Sequence, residues 1–499
     1  MRTRFFFTVF AFFGIVSPAS AAETVIVAPE NLAPLEQYAL SELADHVANT
    51  FGSAPRIVAP GDAVPAGALE IVFGRTETNP RLASLAAEGA FRPNRQEQGF
   101  AIRVPKGDPE AARTIVLCGA DEHGLLWAVR DLSHFHLYSD GGEPVFEPAD
   151  VSFAPVIKCR QISESGCNLY ECENPHEKFM FTCHFNRDTR KAEFTKKYYV
   201  DWLSEWKINV AGMLWCNYPV YDEAYADFVR YAHSRGVKVV AFMCPFRPGH
   251  EKPPGEGLEA GSEGAGDCPR DPENRKCYFN RLAELITREP LVDGICLETP
   301  EHDGIACPCP ECGKNPYPGI QMLNELVAEI KKHRPDLPIS FSLKEPTPNR
   351  EAAEAVLRRL IPLDGPHDWY SNSYVSRDDR AHWHAVSHQC GTYLRPFRNR
   401  LRSKSSEAEE IDGVYYDFRL AAENGVIGYG FCYRFYGGRF GSYTVHEDEA
   451  MRKRYPDRLG PFSLALLGEA SFDPFSEGEA REKKLRRLRA LTIPDYPRR

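Results

Sequence analysis

The sequence predicts an α/β fold in which a small α+β domain precedes a (β/α)8 TIM barrel and a helical extension closes the chain. Three observations predict it. From Val156 onward, short apolar strands alternate with helical stretches, the pattern of βα units on a parallel sheet. Eight candidate strands occur there, the number that closes a barrel. Before Val156 the strands instead cluster around two helical stretches, and 499 residues exceed what one core ordinarily serves.

The chain opens with Arg2 and Arg4, the apolar run Phe5 to Val16 and the small residues Ala19-Ser20-Ala21, the layout of a secretory signal peptide over residues 1–22. The run is too short to span a bilayer, so the mature protein is expected to be secreted or periplasmic and free of the membrane. Residues 23–155 make the N-terminal α+β domain. Glu23 to Val27 reads as a strand, and Leu35, Ala39, Leu43 and Val47 form the stripe of an amphipathic helix from Leu35 to Phe51. Strands follow at Leu69 to Phe73, Gly99 to Val104 and Thr114 to Cys118. The turn Asp121 to Gly124 then leads into a second helix, Leu125 to Leu132.

The order of these elements, with GFAIRV followed by TIVLCGADEHGLLWAVRDL, resembles the non-catalytic N-terminal domain that precedes the barrel in bacterial alpha-glucuronidases and in beta-hexosaminidases. The resemblance covers roughly residues 23 to 155. It implies that a secreted glycoside hydrolase barrel follows and that this first domain packs on the barrel without doing chemistry.

The barrel spans residues 156–442, with strands at Val156–Ile162, Asn209–Trp215, Val237–Met243, Val292–Leu297, Ile339–Leu343, Asp368–Ser371, Gly391–Arg395 and Val426–Cys432. Helical stripes such as Tyr199, Trp202, Leu203 and Trp206 lie between them. Two connections are long: Pro245 to Asp267, rich in Gly, Pro and Glu, and Arg398 to Glu410, where basic residues run into acidic ones. Residues 443–499 form the extension, with helices at Phe462–Leu467 and Glu479–Leu491.

A net charge of -10, from 60 basic against 70 acidic residues, disfavours broad binding to nucleic acid. The basic run Arg481 to Arg489 carries Leu485, Leu488 and Leu491 at helical spacing and reads as a solvated helix face. Fifteen cysteines are an odd number, so at least one thiol is free, metal-bound or paired between chains.

Candidate chemistry centres on Leu291 to Cys312, where an apolar strand delivers Glu298 to a loop holding Glu301, His302, Asp303 and three cysteines. A carboxylate at the C-terminal end of a buried barrel strand stands at the mouth, where such barrels do their chemistry. Hydrolysis of an O-glycosidic bond needs one carboxyl group as acid and a second as base or nucleophile. Glu298 is the candidate acid; Glu345 and Asp368, at the next two strands, are the candidates for the second. Trp215, Trp369, Tyr370 and Tyr433 lie near strand ends, where flat rings can stack on sugars. The likeness to hexosaminidase-type barrels, in which an arginine on the first strand binds sugar hydroxyls, implies that role for Arg160. The adjacent Asp and Glu that those enzymes carry after the fourth strand are replaced here by Leu297-Glu298-Thr299-Pro300.

Cys307, Cys309 and Cys312 have C-x-C-x2-C spacing and can converge on one structural zinc, with His302, Cys268 or Cys277 as a fourth ligand. Disulfides in an oxidising compartment are the competing reading. No cofactor is expected for catalysis. The expected function is that of an exported carbohydrate-active hydrolase acting on an oligosaccharide or polysaccharide. The alternatives are a non-catalytic glycan-binding protein on the same fold and a zinc-dependent hydrolase.

Overall fold

The computed structural model describes residues 23–105, 114–164, 200–214, 223–243, 272–298, 318–342, 368–369, 393–394, 407–423, 428–433 and 461–492. Strands β1 (Thr24–Val27), β2 (Arg56–Val58), β3 (Leu69–Gly74), β4 (Phe100–Val104) and β5 (Thr114–Gly119) belong to a six-stranded sheet. A hairpin of β6 (Leu137–Asp140) and β7 (Glu143–Phe146) stands apart, and β8 (Ala149–Phe153) completes the sheet in the order β2-β1-β3-β5-β4-β8. Strand β4 runs antiparallel to both neighbours, and the other pairs are parallel.

Both faces of this sheet are covered, which is why β3 is buried along its whole length. Helix α1 (Pro34–Phe51) lays Leu35, Ala39, Leu43 and Val47 on one face. It starts where Glu36 accepts from the Ala33 N–H, and it ends at Gly52, whose φ of 74° is a left-handed turn that glycine adopts without strain. Helix α2 (Pro80–Ala87) presses Leu82 on the other face. Helix α3 (Glu122–Asp131) is capped by Asp121, which accepts from Gly124 N at 2.7 Å, and it continues through a wider π-type turn, Leu132–His136.

The second sheet has eight strands, all parallel: β9 (Cys159–Glu164), β10 (Val210–Leu214), β11 (Lys238–Met243), β12 (Gly294–Glu298), β13 (Ile339–Ser342), β14 (Asp368–Trp369), β15 (Tyr393–Leu394) and β16 (Gly428–Tyr433). Each overlaps one of the expected strands, with ends shifted by a few residues. The described helices between them are α4 (Asp201–Glu205), α5 (Glu223–Ser234), α6 (Pro272–Thr287), α7 (Pro318–His333) and α8 (Glu407–Glu423). The order is β13-β12-β11-β10-β9-β16-β15-β14, so the first strand pairs with both the second and the last. The two ends of that order, β13 and β14, lie beside each other. Helix-side packing is apolar, with Ala211, Val239, Ala241, Ile295, Leu297 and Ile339 buried against residues such as Phe228, Leu285 and Leu326.

Helices α9 (Pro461–Phe472) and α10 (Gly478–Thr492) join the two sheets. Phe472 ends α9 in the core of the small sheet, 6.0 Å from Phe100 and 5.5 Å from Phe153, and its carbonyl accepts from Val156 N. Gly468 lets α9 lie against the turn after α4, since a Cβ there would collide with the carbonyl oxygen of Trp206. Among the described residues no helix is long and apolar enough to cross a membrane.

Candidate active site

Glu298 is the last residue of β12, and Ser342, the last of β13, is its register partner. Ile295 and Leu297 on the same strand are buried in the helix-side core. Strand alternation therefore assigns the positions of Cys296 and Glu298 to the opposite face of the sheet. Val210, Val240 and Cys159 form a small apolar cluster on that face.

Asp368 opens β14 and pairs with Tyr393, which in turn pairs with Gly428 and so with Cys159. Through this register the positions of Asp368 and Tyr393 fall on the face that carries Val210 and Cys159, the same face as Glu298. Trp369 pairs with Leu394 and lies on the helix-side parity, as does Tyr433, which pairs with Glu164 at the end of β9. Glu345, Trp215, Tyr370, Cys307, Cys309 and Cys312 lie outside the described residues. Among the described residues Cys118 and Cys159 are free thiols, and no cluster of metal-binding side chains occurs.

Arg160 corrects an expectation. It is the second residue of β9, at the end of the strand away from Glu164, and it is wholly buried. Its Nε donates to the Lys207 carbonyl at 2.6 Å, Nη1 to the Ile157 carbonyl at 2.6 Å and Nη2 to Gln98 Oε1 at 3.1 Å. Its guanidinium lies over the rings of Trp127 and Phe472. A guanidinium whose donors are spent on protein oxygens, with no exposed surface, does not hold sugar hydroxyls at the mouth. It fastens the first strand to the small sheet and to α9.

An ionic chain runs through the same joint. Lys207, also buried, reaches Asp131 at 2.6 Å and Glu469 at 3.0 Å, and Lys484 reaches Glu469 at 2.6 Å and Asp473 at 2.9 Å. Beside it Arg130 bridges Glu42 at 2.6 Å and Glu205 at 2.5 Å. Burial alone would raise Glu205, but Arg130 and His134 pull its carboxyl down to about 2. Burial also opposes ionisation of Asp131, yet Lys207 and His136 hold it well below the usual carboxylate range. Glu469 is lowered likewise, against its burial, by Lys207 and Lys484. Lys207 has a φ of 60° and Gln98 a φ of 58°, left-handed conformations rare outside glycine. Both residues bond Arg160, so the strained backbone gathers where the sheets are locked together.

Sequence reading did not single out Tyr393, although its strand is legible; its pairing with Asp368 is a register fact that appears only once strands are aligned.

No family model matches the sequence, and no curated protein matches it. Solved structures do. A structure titled as that of CpGH84B superposes with a TM-score of 0.54 at 13% identity, over 94% of this chain and 70% of that one. The chain shares the fold of that structure. A second structure, described as a GH138 enzyme targeting pectin rhamnogalacturonan II, superposes with a TM-score of 0.55 at 13% identity, over 93% of this chain. The protein spans 52% of that longer relative.

Proposed function

We propose that the protein is an exported glycoside hydrolase that cleaves O-glycosidic bonds in an oligosaccharide or polysaccharide, with Glu298 as general acid and Asp368 as the second carboxylate. The observation that carries this reading is the shared face and edge position of Glu298 and Ser342 on a fold shared with two glycoside hydrolases.

The choice of Asp368 over Glu345 follows from closure of the large sheet. Eight parallel strands in this order, with β13 beside β14, are read as a (β/α)8 barrel. In such a barrel the register slips by about eight residues in one circuit. Following the observed pairs around from β14 to β13 and adding that slip sets Asp368 opposite Ser342. Opposite sense would require a pairing residue within α7, which is helical. Glu298, Ser342 and Asp368 then form one row across three neighbouring strands at the mouth. With about 4.8 Å between strands, the two carboxylates flank a gap that a glycosidic oxygen can enter. Tyr393, the register partner of Asp368, is next in the row.

The acid protonates the leaving oxygen while the ionised partner acts on the anomeric carbon or on a water beside it. This chemistry calls for no cofactor. Export is supported by the leader-like residues 1–22, which lie outside the described residues. The test is release of reducing sugar from a broad glycan panel by the mature protein. Release from at least one glycan is expected, and binding without release from any of them contradicts the reading.

A further inference from the structure

A cleft of about 470 Å3 opens between α10 and the small sheet, and none of its lining residues belongs to a strand of the large sheet. The volume falls within the range of small-molecule sites, about 300–1,000 Å3. Its floor is apolar: half-buried Val151 and Phe153 on the edge strand β8, backed by Phe100 and Phe472.

The walls are charged, but their charges are matched. Glu147 on the hairpin meets Lys483 of α10 at 2.6 Å, Asp473 meets Lys484 at 2.9 Å, and Asp131 is taken by Lys207 at 2.6 Å. Asp140 at the hairpin tip, the exposed Arg486 and the half-buried Arg487 also line the cleft, and Arg487 donates to the His134 carbonyl at 2.9 Å and lies over the Tyr138 ring. An organic anion in the cleft would meet Asp140 and Glu147, and an organic cation would meet Lys483 and Arg486. A purely apolar guest would cover ionised groups without bonding them, which costs free energy. Donors and acceptors in matched pairs above an apolar floor suit a neutral polyhydroxylated ring. Its C–H face can rest on Phe153 and Val151, while its hydroxyls bond both carboxylate and cation.

We propose that this cleft is a second saccharide site, taking a neutral pyranose of one or two rings apart from the barrel mouth. The proposal stands on the cleft and does not require hydrolysis at Glu298. Ala480, exposed on the rim in the first turns of α10, offers a way to fill it.

The experiment is calorimetric titration of the full mature chain with glucose, galactose, rhamnose, N-acetylglucosamine, cellobiose and lactose, with galacturonate as the charged control. At least one neutral sugar should bind, and Ala480→Trp should weaken it at least about tenfold while leaving reducing-sugar release at wild-type levels. Arg486→Ala, a change at an exposed position that leaves the fold alone, should weaken the same sugar several-fold. The proposal is overturned if no neutral sugar binds, if Ala480→Trp and Arg486→Ala bind as wild type does, or if galacturonate binds more tightly than every neutral sugar in a manner that Ala480→Trp abolishes.

Discussion

Glu298 and Ser342 stand opposite each other as the last register pair between two neighbouring parallel strands. Ser342 is uncharged, so the strand between the two proposed carboxylates brings no third charge to the row. The site is thereby tied to one alignment of strands, and its consequences can be measured.

Asp368→Asn removes the ionised partner while keeping its shape. It should lower kcat by about 10²–10⁴-fold on the best glycan, whereas Glu345→Gln should have a much smaller effect. The opposite ranking in steady-state kinetics would move the second carboxylate to Glu345 and break the row derived from the register.

Arg160→Met tests the corrected role of a buried arginine. Removing the guanidinium takes a donor from the carbonyls of Lys207 and Ile157 and leaves Gln98 Oε1 with the longer bonds from Trp127 and Asn209. The expected loss is about 3–5 kcal/mol in urea unfolding, with KM for glycan unchanged where the variant is folded. A raised KM at wild-type stability would return Arg160 to sugar binding.

Both outcomes bear on what the sequence discloses. Strands β10, β11 and β12 are legible because each is a short apolar run, and β12 reads plainly from Ile295 and Leu297. The hairpin β6–β7 and edge strand β8 are not, since Pro144, Pro148 and the half-exposed residues around them dilute a period-2 signal. Arg160 is misread for a different reason. A sugar-binding arginine and a buried one look alike in sequence, and here the acceptors come from Gln98 and Lys207, remote along the chain. The pairing of Asp368 with Tyr393 depends on register, which single-strand patterns do not encode.

Gly468→Ala adds one methyl where α9 touches the Trp206 carbonyl. The backbone oxygen cannot turn aside as a side chain could, so the helix must shift. A loss of about 1–3 kcal/mol is expected by chemical denaturation. Stability equal to wild type would show that α9 does not sit against that turn.

The joint also sets a pH dependence. The half-buried His46 and His123 have lowered pKa values, chiefly from desolvation, so the stability they favour is present above about pH 6.5 and declines as they are forced to take protons. Asp131, Glu205 and Glu469 are also lowered, and their contribution is full above the ordinary carboxylate range, about pH 4, and is lost as pH falls towards 2. His233 acts oppositely: its hydrogen bond to Asp293 raises it, but the pair is partly exposed and screened. Urea midpoints should therefore be highest near neutrality, decline gently to about pH 5 and drop steeply below about pH 4. Glu205→Gln should flatten the lower limb. A midpoint that rises on acidification would contradict the ionic chain.

The most direct measurement compares wild type and Glu298→Gln on two substrates with the same sugar, a natural glycan and a dinitrophenyl glycoside whose leaving group needs no proton. The account predicts a fall of about 10²–10⁴-fold on the glycan and a far smaller one on the activated glycoside, with thermal stability unchanged. Equal losses on both substrates, or full activity on the glycan, would contradict Glu298 as the general acid.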